Sequence, residues 1–369
     1  MGQSNLAYLL LQSFSKMKFN NIKLSAGILY VGIIVSSVLL SLYLDLSRIL
    51  ISYLGDTLKT AYIYFLLVLI VTLPLDILAS KKLNTPKDSR ISKILASNCL
   101  LFLIFIFFIN MINIVFKIDN VLFAFIFSIL LQISILVIQE IITNLIFKPK
   151  KESFNNSSLL IIKDAPSYMT MNIIQTLRGS KIIVPEHWTK HKHKNYQFHL
   201  KRFELIENKK IYTKSIFFSI IVNAIFFTLI YFYYINTNVS SVYFIINLSL
   251  ICNLISFLYI LVLPILSQNG ITNTDNIMKN KDSKLFQENL LIFENNQDKN
   301  KTRGKIVERI FYPIPSIETR VNSDYKKKFA LSNVSRLIIM FASSSLSIIF
   351  KGVHGNAGKP ENWLLPPSE

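Results

Sequence analysis

Four of the five histidines of this 369-residue chain lie in one stretch, HWTKHKHKNYQFHLKR, at positions 187–202. Zinc sites use three or four His, Cys or carboxylate ligands, and ligands four positions apart on a helix share one face. His187 and His191 are four apart and His191 and His199 are eight apart, so a helix that begins early would present all three together. A rearranged zinc site is therefore one interpretation of the stretch.

The charge of the stretch favours the other interpretation, a basic helix without metal. Five basic residues lie among the histidines and would repel a divalent cation at short range. They are Lys190, Lys192, Lys194, Lys201 and Arg202. Counted back from His199, the pattern also departs from HExxH, because Asn195 stands in place of the first histidine and Tyr196 in place of the glutamate. Asparagine is a poor zinc ligand, and a tyrosine cannot act as a general base near neutral pH. We therefore expect no cofactor.

The bulk composition indicates a membrane protein. The chain is 51% hydrophobic with a positive mean hydropathy, yet its net charge is +19, and a soluble domain seldom combines these properties. Crossing a bilayer takes about 20 mainly apolar residues. Six stretches qualify, at about 24–46, 57–79, 95–116, 121–146, 215–235 and 242–266. A seventh, 331–350, is weaker because Arg336 and several serines interrupt it. The fold class predicted is mainly α, a polytopic membrane protein with six or seven transmembrane helices and a small α+β cytoplasmic region.

Basic residues gather in alternate connections between these spans. Segments 1–23, 80–94, 148–214 and 267–330 have net charges of +3, +4, +9 and +4, whereas 47–56, 117–120 and 236–241 are short and almost neutral. An excess of Lys and Arg marks cytoplasmic loops, and such residues attract anionic lipid. We therefore predict a multi-pass inner-membrane protein with a cytoplasmic N-terminus, in contact with the bilayer and its anionic inner-leaflet lipid. Because topology accounts for the charge, we expect no nucleic-acid partner.

The spans divide the chain into five regions. Residues 1–147 hold an N-terminal arm and four transmembrane helices, 148–214 a basic cytoplasmic region, 215–266 two transmembrane helices, 267–330 a second cytoplasmic region, and 331–369 an interfacial or seventh helix and a tail. In the basic region, Leu159–Ile162 and Lys181–Val184 are short apolar runs that predict a β hairpin. Pro185 ends the extended part, and residues 189–210 lack helix breakers, which predicts a basic helix.

Two ionisable residues lie inside predicted spans. Asp76 is in the second span and Glu140 in the fourth, each nearer the predicted cytoplasmic end. Ionisable groups are costly in hydrocarbon and often functional. The nearby Lys81, Lys82 and Lys148 indicate that both carboxylates anchor at the interface, with an ion or proton pathway as the alternative.

The order of these features resembles the membrane-embedded zinc metallopeptidases of the CAAX prenyl protease and stress-induced membrane protease type, and their antibiotic-sensing relatives. SKIIVPEHW is similar to the phrase that precedes the HExxH helix in those families, and HLKRFE is similar to the phrase that follows it. ITNTD, at 271–275, stands where the families have E-x-x-A-D, and YPIPSIETR, at 312–320, is similar to their last element.

The resemblance implies a peptidase-like scaffold that has lost its zinc chemistry. It implies that Asn195, Tyr196 and Ile271 replace the first ligand, the glutamate and the third ligand. His199 and Asp275 remain, and the resemblance implies Arg320 as a structural partner. The predicted function is therefore a catalytically inactive binding or scaffold component, a pseudoenzyme that meets a membrane or cytoplasmic protein partner through its cytoplasmic segments.

Two other classes of function stay open at this point. One is an active membrane zinc endopeptidase with a rearranged ligand set drawn from His187, His191, His199 and Asp275. The other is a transporter or channel that uses Asp76 and Glu140.

Overall fold

The computed structural model describes residues 19–83, 91–155, 157–165, 169–176, 179–190, 193–297, 302–323, 331–353 and 356–364. Within these ranges the chain is mainly helical, with one small sheet. Six helices are long and apolar enough to cross a membrane, which confirms the six predicted stretches. They are α1 (Phe19–Tyr43), α3 (Leu58–Leu83), α4 (Ile91–Ile118), α5 (Val121–Phe147), α8 (Ile211–Ile235) and α9 (Ser241–Val262).

The six long helices alternate in direction, so their connections gather at two ends of one bundle. The backbone N–H of Asn120, between α4 and α5, donates to the hydroxyl of Tyr231 near the end of α8 (3.1 Å). The side chain of Asn247, near the start of α9, donates to Ser47 in the short helix α2 (Leu46–Leu54) at 2.7 Å. These contacts join three short connections at one end, which we call the short-loop end.

The opposite end carries the charge, and we call it the basic end. Here α3, α5 and α9 finish and α4 and α8 begin. Exposed lysines lie at the helix ends that meet there, namely Lys81, Lys82, Lys93, Lys148, Lys210 and Lys214. The basic segments around residues 80–94, 148–214 and 267–330 therefore share one end of the bundle, as their charge predicts.

A four-stranded sheet follows α5 at the basic end. Its strands are β1 (Lys150–Phe154), β2 (Ser157–Ile162), β3 (Asn172–Thr176) and β4 (Gly179–Pro185), in the order β1-β2-β4-β3. Both predicted runs are strands, but β2 and β4 pair in parallel, with Leu159 opposite Ile182, so they do not form a hairpin. The antiparallel pairs are β1 with β2 and β3 with β4. A parallel pair needs a crossover, and the chain between β2 and β4 supplies it together with the unpredicted strand β3.

Six further helices of the described residues lie at the basic end. They are α6 (Glu186–Thr189), α7 (His193–Asn208), α10 (Pro264–Lys281), α11 (Ser283–Gln297), α12 (Lys305–Phe311) and α13 (Ile317–Asn322). Helix α10 begins directly after α9, and Pro264 lies in its first turn. Proline is tolerated there because a backbone N–H in the first turn has no hydrogen-bond acceptor within the helix. The predicted basic helix is α7, which leads into α8 after the left-handed residue Lys210.

Residues 331–353 settle the question of a seventh spanning helix. The segment holds α14 (Val334–Phe341), a 3₁₀ turn at Ala342–Ser345 and another at Ile349–Lys351, and every residue in it is buried. Helix α14 has eight residues and is about 12 Å long, well short of the about 30 Å of hydrocarbon. Leu346, in the left-handed conformation (φ 67°), ends the first 3₁₀ turn. The stretch is therefore a broken segment inside the bundle. The short helix α15 (Glu361–Leu364) follows it.

Candidate functional site

The candidate histidines are divided between two helices. His187 lies in α6, which ends at Thr189, and His199 lies in α7, which begins at His193. The helix does not begin early enough to place both on one continuous face, and His191 lies outside the described residues. Both described rings instead flank the buried Trp188, whose centroid is 4.9 Å from that of His199 and 6.4 Å from that of His187. His187 and His199 therefore belong to an aromatic cluster around Trp188.

Asp275 is the centre of a buried charge cluster. Its Oδ2 accepts from Nε of Arg320 at 2.6 Å, and its Oδ1 accepts from Nη2 of the same residue at 2.9 Å. Nε of Arg202 donates to Oδ1 from the other side at 3.3 Å. All three side chains are almost inaccessible to solvent. Helices α7, α10 and α13 therefore meet at one carboxylate and two guanidiniums.

This cluster is unfavourable for a metal ion. Both oxygens of Asp275 accept hydrogen bonds from guanidinium groups. Arg320 binds the two oxygens together, in the bidentate geometry that matches a carboxylate. A divalent cation at this carboxylate would have to displace arginines and then remain beside two positive charges. Asp275 is therefore used to hold three helices together.

The packing of α7 against α10 also separates Ile271 from His199. Phe198 packs with Met278, and Arg202 bonds Asp275, so the two helices run antiparallel. Ile271 lies one turn, about 6 Å, from Asp275 toward the bundle, whereas His199 lies about 4.5 Å from Arg202 in the opposite direction. The structure does not bring these two positions of the degenerate pattern together.

Tyr196 has an environment that keeps its phenol neutral. Burial and the nearby Glu152 of β1 raise its pKa above the ordinary tyrosine value. It therefore cannot accept a proton from water near neutral pH. Asn195, one position earlier on α7, is partly exposed. Among the residues that the structure describes, no three His, Cys, Asp or Glu side chains are grouped so that they could hold a metal ion.

Asp76 takes part in a second buried charge cluster, inside the bundle. Its Oδ2 is 2.8 Å from Nζ of Lys351, and neither side chain is accessible to solvent. The same Nζ donates to Asn98 at 2.8 Å and to Thr72 at 3.2 Å, and it lies 4.5 Å from the ring centre of Trp363. Asp76 is therefore not an interface anchor, contrary to the expectation from its neighbouring lysines.

Sequence reasoning missed Lys351, the partner of Asp76. Lys351 is 275 positions from Asp76 in the sequence. It directly follows residues 331–350, which sequence reasoning treated only as a weak candidate for a seventh span. One signal was present, since a lysine that directly follows SLSIIF would lie in or near the hydrocarbon and require a counterion.

Glu140 has a different partner and a different setting. Its Oε1 is 2.6 Å from Nζ of Lys181 in β4, and both side chains are partly exposed. The pair ties the basic end of α5 to the sheet. Asp76 and Glu140, which sequence reasoning considered as one pathway, therefore belong to separate clusters.

Comparisons with protein-family models, with curated proteins and with solved structures found no match to this chain.

Proposed function

We propose that this chain is a catalytically inactive, multi-pass inner-membrane protein that acts as a binding or scaffold component through its basic end. The observation that carries the proposal is the engagement of both Asp275 oxygens by Arg320 and Arg202. A carboxylate held in this way ties helices together and is unavailable to a metal or to a water nucleophile. His187 and His199 lie on different helices and do not form the continuous helical ligand face that the sequence allowed, which supports the same conclusion.

The proposal includes a cytoplasmic position for the basic end, in contact with anionic lipid. Its support is the set of exposed lysines at the helix ends, which lie where headgroups would meet a spanning bundle. Each lysine close to an anionic surface contributes on the order of 1 kcal/mol. The peptidase-like order of motifs supplies the scaffold part of the proposal, and its pseudoenzyme character follows from the replaced positions.

The inactivity is tested by metal content and proteolysis of the detergent-purified full chain. We expect the purified protein to contain no stoichiometric zinc. We also expect it to show no chelator-sensitive cleavage of an unfolded substrate protein. His199→Ala and the matched control His187→Ala should give the same result as the wild type. About one zinc per wild-type chain, absent from His199→Ala, would show an active metal site and overturn the proposal.

The lipid contact is tested by thermal unfolding in detergent with added anionic or zwitterionic lipid. We expect anionic lipid to stabilise the wild type more than a variant that carries Lys81→Gln, Lys210→Gln and Lys214→Gln. The control is Lys59→Gln with Lys117→Gln, whose lysines are exposed at the short-loop end. If the control loses as much lipid stabilisation as the variant, the basic end is not the lipid-facing surface proposed.

A transporter or channel is the second candidate function. The observation in its favour is the buried Asp76–Lys351 pair inside the bundle. The separate partners of Asp76 and Glu140 weigh against a pathway that uses both carboxylates. The test is ion flux through the reconstituted protein. Flux that persists in the double variant Asp76→Asn, Glu140→Gln would show a pathway that does not use these two residues.

A further inference from the structure

The C-terminal segment comprises residues 331–364, and its described parts, 331–353 and 356–364, enter the six-helix bundle and leave it at the same end. At its start, the backbone N–H of Ser332 donates to Ser215, one turn inside the basic end of α8 (2.8 Å). Its deepest point is Leu346, whose carbonyl accepts from Ser249 of α9 at 2.8 Å. Ser249 is about 20 Å from the basic end of α9, beyond the midpoint of that helix.

The return path of the C-terminal segment runs along α1 and α3. Gly352 lies against the ring of Tyr30, and Gly358 lies against the backbone of Ser80, three residues before the end of α3. Both ends of the segment are therefore at the basic end. Withdrawal of its described residues therefore needs an opening at the basic end alone.

The surrounding helices hold the main chain of the C-terminal segment with polar side chains. Asn223 of α8 donates to the carbonyl of Ile338 at 2.8 Å. Asn253 of α9 accepts from the backbone N–H of Ile348 at 2.9 Å. Similar contacts join Ser249 to Leu346, Ser215 to Ser332 and Ser267 to Ser335. Contacts to backbone atoms do not depend on the side chains of the bound segment, so these groups suit a polypeptide as a class.

Lys351 of the C-terminal segment is recognised by charge. Lys351 meets Asp76, Asn98 and Thr72 on two helices of the bundle. An ammonium group at this depth is stable only with such a counterion and hydrogen-bond acceptors. The bundle therefore provides an acidic side chain, Asp76, and a set of backbone-directed groups.

Backbone that is not helical is tolerated at membrane depth where protein encloses it or where it lines a water-filled cavity. Here the protein encloses it. The polar groups of the bundle that now bond the C-terminal segment would require water or another polypeptide if the segment withdrew.

We propose that the interior of the bundle, from its basic end to the depth of Ser249, is a polypeptide-binding vestibule, which the C-terminal segment of the same chain occupies in cis. Its ligand class is an apolar polypeptide segment with one lysine placed to meet Asp76. The inference does not depend on the loss of zinc chemistry, since it rests on the bundle and on the C-terminal segment alone.

A native cysteine reports on occupancy of the vestibule. Cys252 is buried in α9, and its thiol contacts Ser345 in the C-terminal segment. Cys99 is exposed, so the experiment uses the full chain with Cys99→Ser. The measurement is the rate at which a charged, membrane-impermeant thiosulfonate modifies Cys252.

We expect Lys351→Ala to raise the modification rate of Cys252 at least tenfold over the parent, because the segment loses its charged anchor. Asp76→Asn together with Lys351→Met removes both charges and should restore protection. Unfolding of the whole bundle is monitored with Ala124→Cys in a chain that lacks both native cysteines, since Ala124 is buried near the short-loop end. The rate at position 124 should not change.

Exchange is tested on a full chain with a protease site inserted between Tyr325 and Lys326. After cleavage, a fluorescent synthetic peptide of residues 331–364 should enter the bundle and restore protection of Cys252. The peptide with Lys351→Ala should bind at least tenfold more weakly. If Cys252 stays protected after cleavage and no peptide enters, residues 331–364 are a permanent part of the core and the proposal is wrong. It is also wrong if both peptides bind equally.

Discussion

The Asp76–Lys351 pair should behave as a strongly coupled unit, and a double-mutant cycle measures that coupling. The perturbations are Asp76→Asn, Lys351→Met and the two together. The charged atoms are 2.8 Å apart and neither side chain reaches solvent. At an effective dielectric constant of about 20, two unit charges at this distance attract by about 6 kcal/mol.

Desolvation of both charges offsets much of that attraction, so the net stabilisation is smaller than the coupling. Removing one partner of a buried pair leaves the other charge uncompensated and costs about 3–5 kcal/mol. Replacing both by neutral groups of similar volume is often close to neutral. Each single variant should therefore lower the free energy of unfolding by about 3–5 kcal/mol, and the double variant by about 1 kcal/mol.

Glu140 and Lys181 supply a matched control for this cycle. They form an ion pair at 2.6 Å, but their side chains are partly exposed, and solvent screens pairs of this kind to about 1 kcal/mol or less. The assay is reversible unfolding in mixed micelles, followed by circular dichroism, with Glu140→Gln and Lys181→Met measured alongside. Additive losses in the Asp76 cycle, or a coupling no larger than that of the control, would refute the argument that the buried pair anchors the C-terminal segment.

Two further predictions concern the packing of the basic end. Arg320→Lys keeps the charge but loses the bidentate contact with Asp275, so we expect the free energy of unfolding to fall by about 2 kcal/mol. Arg320→Met should lower the free energy of unfolding further, and equal losses in the two variants would show that the bidentate geometry contributes nothing. Gly270→Ala would overlap the carbonyl of Leu331 and should lower the melting temperature markedly, whereas Gly32→Ala meets no atom and should leave it unchanged or raised; the reverse order would contradict the placement of Leu331 against α10.

The bundle was predictable because its signal is local. A helix that is long and apolar enough to span a membrane can be predicted from about 20 consecutive residues, and the charge of the connections indicates which of them lie at the same end of the bundle.

The sheet was predictable in part. The runs in β2 and β4 have strand character, but their parallel pairing depends on the crossover through β3, which no local pattern of either strand contains.

The C-terminal segment was not predictable from composition alone. Residues 331–350 have the apolar content of a weak span, and only the positions of their contacts distinguish a broken segment from a helix. Those contacts join Ile338 to Asn223 and Lys351 to Asp76, residues more than 100 positions apart. The neighbouring sequence does not identify such distant partners, because a lysine directly after SLSIIF requires a counterion but does not indicate which residue supplies it. The resemblance implied Arg320 as a structural partner without naming the residue that it contacts, and nothing local indicated that Arg202 would also bond Asp275.

The three carboxylates that sequence reasoning selected all serve as ties between distant parts of the chain, but the ties differ in what would release them. Asp275 is held by α7 and α13, and Glu140 by the sheet. Asp76 is held by Lys351 on the C-terminal segment, which enters and leaves at one end. Withdrawal of that segment would free Asp76 while leaving the other two pairs in place. A function that depends on occupancy of the bundle should therefore respond to Asp76 and Lys351 and be insensitive to Glu140→Gln.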